Sequence, residues 1–495
     1  MLNEKNIKNI IIYTAPNFVG YALSLIAMPI MTRLLRPADY GIIIMANLFP
    51  AIAVGLLTFG LVSATQRNYF QYRRDKEQLN GLIVSSQIFL YLMLIASSLV
   101  VFFFKDNISR LIIGRAGYGD AILAAYLGVY LAYIITFYST ILQGMEKAKL
   151  FAVIMIVQNT LIVLLNLFYV GILRLSYMGP LLGTLTVNFC LTIVIALAFN
   201  SGFSFRINLR LLWENMLFGL QLVPKVLTGF VNRFFDKYLL NNMLSLSAVG
   251  VYNLGQNIGV IMFNLMSAVW NSFQPVFYRE VFDKGEVAAK PVGRLFTVFL
   301  YLTMIPVMSA VVFAREIIMV MAPPAYYAAI PVIIIIACAY ASNVFGIFVG
   351  LQYAYTKKAY LIFPITIFGT LANVAANIVL IPRLGLIGGA LSFLISYLVL
   401  NIALAVIGQR LYRVAYEWGH IIPLYALVYS AAAAILYLQK IDYPFLLLFP
   451  IKLALLAVFL FIGYQAGIVR RHRIEMLLKM FKRGGKVAEP TIEPV

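Results

Sequence analysis

Apolar runs of about 19 to 27 residues recur along the whole of this 495-residue chain, each long enough to cross the ~30 Å hydrocarbon core of a bilayer. That feature leaves few folds open. At membrane depth there is no water to satisfy a backbone amide, so runs of this length must be helices that close their own hydrogen bonds. The spans read as Ile10–Thr32, Tyr40–Ala64, Gly81–Phe104, Ala121–Gln143, Leu150–Leu173, Tyr177–Phe199, Asn215–Leu240, Ala248–Phe273, Val292–Ala314, Tyr326–Gly350, Ala359–Ile381, Leu386–Gly408, Ile421–Leu438 and Pro444–Gly467. The expected fold is therefore an all-α integral membrane protein of about fourteen transmembrane helices. The first run lacks a small-residue cleavage site after it and reads as a retained helix rather than a signal peptide. No remaining stretch has room for a sizeable soluble domain. Composition agrees: 63% of residues are hydrophobic and 11% charged, where soluble domains carry about 25% charged residues.

A net charge of +20 would suggest nucleic acid on a soluble chain, but here the cations sit between apolar runs and act as orientation signals and contacts for anionic lipid. The even-numbered connections and both ends hold about 25 of the 38 Lys and Arg residues. With an even helix count, both termini are placed in the cytoplasm. Behind the last span, Arg470, Arg471 and Arg473 precede Ile474, Leu477, Leu478 and Phe481 at helical spacing. Two readings stand for this tail, an amphipathic helix on the anionic inner leaflet and a solvated cap. The two cysteines (Cys190, Cys338) and two histidines (His420, His472) form no metal-ligand spacing, so no metal or other cofactor is expected.

The chain repeats itself. Pro16 and Pro224 differ by 208, Gly41 and Gly250 by 209, Gln66 and Gln274 by 208. Leu142-Gln143 and Leu351-Gln352 differ by 209, as do Arg174 and Arg383 and Gly179 and Gly388. One offset held at equivalent helix ends implies two six-helix lobes related by a pseudo-twofold axis along the membrane normal, with a cavity between them. The expected lobes are 1–204 and 205–412, followed by two added helices over 413–467 and a basic tail over 468–495.

Charge inside the membrane is concentrated in the seventh span. At 100° per residue from Lys225, Asp236 falls at about 20°, Arg233 at about 80° and Lys237 at about 120°, so all four share one face. A cation near the bilayer centre costs on the order of 2.5–3.5 kcal/mol, which favours a water-filled cavity on that side. Lys225, Arg233 and Lys237 are thus candidates for binding an anionic cargo, with Asp236 orienting Arg233. The competing reading has Arg233 and Asp236 neutralising each other and Lys237 snorkelling to the outer surface. Pro224 removes a backbone donor beside Lys225 and predicts a kink. On the eighth span Asn253, Asn257, Asn264 and Asn271 share a face, suited either to sugar hydroxyls or to interhelical hydrogen bonds. Asn159 and Asn166 repeat that spacing in the fifth span and read as packing residues. Arg33, at the outer end of the first span, reads as a surface anchor or as an outer anion contact.

The run Thr32-Arg33-Leu34-Leu35-Arg36-Pro37-Ala38-Asp39-Tyr40-Gly41 resembles the R-L-L-x-P-x-x-Y-G signature of Wzx-type polysaccharide flippases of the multidrug/oligosaccharidyl-lipid/polysaccharide exporter superfamily. Phe59-Gly60-Leu61-Val62-Ser63-Ala64-Thr65-Gln66-Arg67 is similar to that family's end of helix 2, and Val249-Gly250-Val251-Tyr252 to its start of helix 8. The resemblance implies a MATE-like fold of two lobes working by alternating access in the bacterial cytoplasmic (inner) membrane. It implies as cargo an oligosaccharide on undecaprenyl pyrophosphate, moved from the inner to the outer leaflet for O-antigen or exopolysaccharide biosynthesis, and other polysaccharide-assembly proteins as partners. Where the family has a Pro-Leu-rich start to helix 7, this chain has Gln221-Leu222-Val223-Pro224-Lys225.

A cation-coupled multidrug antiporter of the same superfamily is the nearest alternative, and it requires buried carboxylates. A membrane glycan polymerase or ligase is a more distant one, requiring a catalytic outer loop, whereas the outer connections here are shorter than about 17 residues. No P-loop pattern occurs, so ATP is not the direct energy source. A diphosphate carrying two charges outward gains roughly 5 kcal/mol per 100 mV of inside-negative potential. Coupling to H+ or Na+ is therefore permitted but not required.

Overall fold

The computed structural model describes residues 4–200, 207–221, 223–441, 445–465 and 468. The basic stripe at Arg470–Phe481 and the loop cation Arg206 lie outside these. Seventeen α-helices run in order: α1 (Glu4–Leu34), α2 (Pro37–Leu57), α3 (Leu61–Tyr72), α4 (Lys76–Ile113), α5 (Gly119–Gly144), α6 (Ala148–Gly171), α7 (Met178–Asn200), α8 (Leu209–Leu220), α9 (Val223–Met243), α10 (Leu246–Lys284), α11 (Ala289–Val312), α12 (Ala314–Met321), α13 (Ile330–Tyr355), α14 (Ile362–Leu384), α15 (Leu386–Leu411), α16 (Trp418–Lys440) and α17 (Phe445–Gln465). No strand occurs among the described residues. Among the described residues thirteen helical segments are long and apolar enough to cross a membrane. The fourteenth expected span, Asn215–Leu240, is divided between α8 and α9, and α9 is too charged to qualify because of Lys225, Arg233, Asp236 and Lys237.

Local chemistry explains the breaks. Pro37 opens α2, where its missing N–H would have no partner anyway, and the Asp39 carboxylate reaches back to the Arg36 N–H at 3.0 Å. Phe59 and Gly60 both take left-handed backbone and separate α2 from α3. The Asp75 carboxylate caps α4 by accepting from the Glu77 and Gln78 N–H groups. Glu146 (φ 57°) just after α5 and Lys357 (φ 58°) just after α13 both take left-handed backbone.

The described residues pack as two units, one within 2–253 with 320–326, the other within 254–319 with 327–495. The packing division thus falls at 253/254, whereas the sequence repeat divides the chain at 204/205; α8, α9 and the start of α10 pack with the first six spans. In lipid there is no hydrophobic drive between helices, so small residues and polar contacts decide which faces meet. In the first unit, a Cβ on Gly41 would collide with the Leu246 carbonyl, and a Cβ on Gly250 with the Pro37 carbonyl. Pro37 and Leu246 are themselves 209 apart, so the repeat-related helix starts cross each other reciprocally, backbone on backbone. In the second unit the core is aromatic. Phe296 and Phe348 sit 4.6 Å apart, ringed by Phe299, Phe277 and Tyr416.

Helices α16 and α17, expected as additions, pack on α11. The rings of Tyr301 and Phe459 stack at 5.3 Å, with Gly463 lying against the same tyrosine.

Candidate functional site

Two helices carry the residues singled out above. The first is divided: α8 ends at Leu220, Gln221 caps it, and α9 starts at Val223 with Pro224 in its first turn, where proline costs no hydrogen bond. The expected kink at Pro224 is thus a break between two helices. Segment α8 is fixed by its polar side. Asn215 is fully buried; it accepts from Asn68 at 2.9 Å and donates to Thr65 at 2.9 Å and Ser86 at 3.2 Å. Gly219 lies against the Phe59 carbonyl. The other face of α8 is apolar and exposed at Leu209, Trp213 and Leu217, the inverse of a soluble amphipathic helix and the pattern of one facing lipid.

Along α9 the charged face changes environment. Toward its C-terminal end it packs on α2 and α4, where Asp236, Lys237 and Leu240 are buried. The Lys237 ammonium lies 3.7 Å from the Asp236 carboxylate and donates to the Arg233 carbonyl. Asn241 ties this end to α4 through the Ile113 carbonyl at 3.1 Å. One turn earlier the same face is uncovered. Arg233 is exposed, its guanidinium 5.9 Å from the Phe234 ring centroid, and a Cβ on Gly229 would meet nothing within 4 Å. The charge on Asp236 is therefore spent on Lys237, and no ion pair between Asp236 and Arg233 occurs among the described residues. Lys225 lies in the first turn of α9, its side chain outside the described part.

On α10, Asn257 is exposed and Asn253 half-buried. Asn264 is half-buried, and its amide nitrogen is buried without a hydrogen-bond partner among the described residues. The side chain of Asn271 lies outside the described part. The fifth-span pair has packing roles: Asn159 donates to the Pro16 carbonyl, and the Asn166 amide, with nitrogen and oxygen exchanged, reaches the Ile162 and Pro180 carbonyls at 3.2 Å.

Arg33 is exposed, and its guanidinium binds the Pro29 carbonyl at 2.8 Å and the Val320 carbonyl at 3.3 Å. With Thr32 on the Met321 carbonyl and the Tyr326 hydroxyl on the Leu35 carbonyl, it ties the end of α1 to residues 320–326. The helix-1 signature is accounted for residue by residue. Leu35 is buried, Pro37 and Asp39 start α2, Tyr40 packs edge-on against Tyr326, and Gly41 admits the Leu246 backbone.

Among the described residues no group of three or more His, Cys, Asp or Glu side chains could hold a metal. One ionic feature had gone unread in the sequence. Lys452, 1% exposed inside α17, donates to both carboxylate oxygens of Glu316 on α12, at 2.6 and 2.8 Å. Its signal was plain in retrospect: a lone cation two turns inside an apolar run.

Comparison with known proteins adds family and fold. Residues 7–280, more than half of the chain, match the family described as polysaccharide biosynthesis protein. A search of curated protein sequences matches none. Among solved structures, the lipid II flippase MurJ in an inward closed conformation superposes with a TM-score of 0.71 at 14% identity, covering 92% of this chain and 100% of that one. An inward-facing multidrug resistance MATE family transporter of the MOP superfamily superposes at 0.64 and 20% identity, covering 81% and 98%. A MOP superfamily transporter from Pyrococcus furiosus superposes at 0.54 and 18% identity, covering 82% and 95%. At such identities these likenesses speak for the fold alone, which is the one the helix-1 signature implies. By the match over residues 7–280, the chain belongs to the polysaccharide biosynthesis protein family.

Proposed function

We propose that this protein is a flippase that moves an oligosaccharide linked to undecaprenyl pyrophosphate from the inner to the outer leaflet of the cytoplasmic membrane by alternating access. The observation that carries the reading is Arg233. It is an exposed guanidinium on a membrane helix, beside open space at Gly229, while its neighbouring charges Asp236 and Lys237 are buried against each other. An arginine fork matches a diphosphate bidentately, and a cation kept uncovered at membrane depth is costly unless water or an anion meets it. Lys225, on the same helical face, is the second cation of the proposed site. Lys237 is assigned to holding α9 in place rather than to the cargo. Asn257, exposed on α10, is the proposed hydrogen-bonding contact for the glycan. The family description and the likeness to a lipid II flippase support this cargo class.

The antiporter reading is weaker on one point. It needs carboxylates free to take a cation, but Asp236 and Glu316 are each already paired with a lysine.

Complementation of a strain lacking its lipid-linked oligosaccharide flippase tests the proposal. Wild type should restore surface glycan, and Arg233→Ala should fail at equal protein level. Full activity of Arg233→Ala together with Lys225→Ala would overturn the site, and drug efflux by the purified chain in vesicles would overturn the cargo.

A further inference from the structure

The second unit holds a trench that the proposed transport route does not use. It has a volume of about 580 Å³ and runs between α13, α15 and α16. Its walls are Leu398, Ile402 and Val406 on α15 facing Ile422 and Ala426 on α16, all of them apolar. Length identifies what it accommodates. From Trp418 to Tyr429, or from Leu398 to Gln409, the lining extends over eleven residue steps, about 16 Å along a helix. That is about half of the ~30 Å hydrocarbon core, the depth of one leaflet.

The two ends differ. At the deep end the Ser342 and Tyr429 hydroxyls bond each other at 2.5 Å and close the floor. At the other end stand Trp418, 49% exposed, and Gln409, which is bonded to Val414 through both its amide groups. Those bonds tie the start of the 412–417 loop to the end of α15; Arg410, next in sequence to the lining Gln409, and Arg413, beside Val414, are both exposed. Neither arginine has a carboxylate partner among the described residues. The carboxylate of this loop, Glu417, already lies 3.9 Å from Arg294 and 4.0 Å from His420. The positive-inside count puts this mouth at the cytoplasmic face.

We infer that this trench is a binding site for an anionic phospholipid of the inner leaflet, its acyl chain lying along Ile402, Val406 and Ile422 and its phosphate at Arg410 and Arg413. Trp418 sits where an aromatic ring marks the headgroup level. The lining is apolar, one leaflet deep and closed at its floor, which suits an acyl chain. An undecaprenyl chain is far longer than one leaflet. Two exposed arginines on the segment that joins α15 to α16 favour an anionic headgroup over a zwitterionic one.

The test uses the full chain purified in detergent, with retained lipid read by native mass spectrometry. The probes are phosphatidylglycerol and phosphatidylcholine of identical acyl chains. Phosphatidylglycerol should be retained preferentially, and Arg410→Gln with Arg413→Gln should weaken its retention about thirtyfold. Ala405→Trp, which fills the trench, should abolish retention of both lipids; Ala426→Trp serves the same end if the first variant folds poorly. Equal retention of the two lipids, or unchanged retention in the double arginine variant, overturns the inference. So does displacement of bound lipid by undecaprenyl phosphate but not by added phosphatidylglycerol, which would give the trench to the cargo tail. Because lipid retention is read without transport, this result and the flipping result fail independently.

Discussion

Removing one partner of the Lys452–Glu316 pair should cost far more than removing both. Lys452 is 1% exposed and donates to both carboxylate oxygens of Glu316, whose side chain is 23% exposed. Glu316→Gln leaves an ammonium in a low-dielectric site without its carboxylate partner. An unpaired cation in the bilayer costs roughly 2.5–3.5 kcal/mol, and breaking a buried pair about 3–5 kcal/mol. Since glutamine keeps one oxygen in place, a loss of about 2–4 kcal/mol is expected for Glu316→Gln. Lys452→Met leaves a carboxylate at the edge of the membrane that can turn toward water, and should cost only about 1 kcal/mol. The double variant puts two uncharged side chains where the ions were and should return to within about 1 kcal/mol of wild type. Denaturant titration in mixed micelles, followed by tryptophan fluorescence, orders the four proteins. Two results would refute the reasoning: Glu316→Gln as stable as wild type, or a double variant no more stable than Glu316→Gln alone.

Other expectations concern the first unit. Lys237→Met should lower stability rather than cargo affinity, because it strands a buried Asp236; purified yield and melting should fall, and Asp236→Asn added to it should restore them. Asn215→Leu leaves Asn68, Thr65 and Ser86 without a shared partner and should cost on the order of 1–3 kcal/mol, read as a lower melting temperature. Gly250→Ala drives a methyl group into the Pro37 carbonyl and should destabilise by about 1–3 kcal/mol, a loss no detergent change should rescue. Lys357→Gly relieves left-handed backbone at an exposed helix end and should raise stability by up to about 1 kcal/mol, seen as a higher melting temperature.

What could be read before any coordinates follows from what a membrane imposes. A span must be apolar over a fixed length whatever it packs against, so thirteen of the fourteen expected segments are matched by helices long and apolar enough to cross a membrane, and the one that falls short, α8 with α9, is the one carrying four charges. Equivalent anchors at one offset pointed to Gly41 and Gly250, and these turned out to touch each other's helix starts, a relation that periodicity cannot express. The helical wheel correctly put Lys225, Arg233, Asp236 and Lys237 on one face, but a wheel has no axial coordinate. It could not tell that the face is covered at Lys237 and open at Gly229 and Arg233, nor that Asp236 would pair with its sequence neighbour rather than with the arginine one turn away. Lys452 was missed for the opposite reason. A single charge barely lowers the hydropathy of an apolar run, and its meaning depends on Glu316, 136 residues distant. Charges inside spans therefore fall into two physical classes that sequence alone does not separate. Those with a partner on another helix hold the bundle together, as Lys452 does, and those left facing open space, as Arg233 is, have only water or cargo to meet.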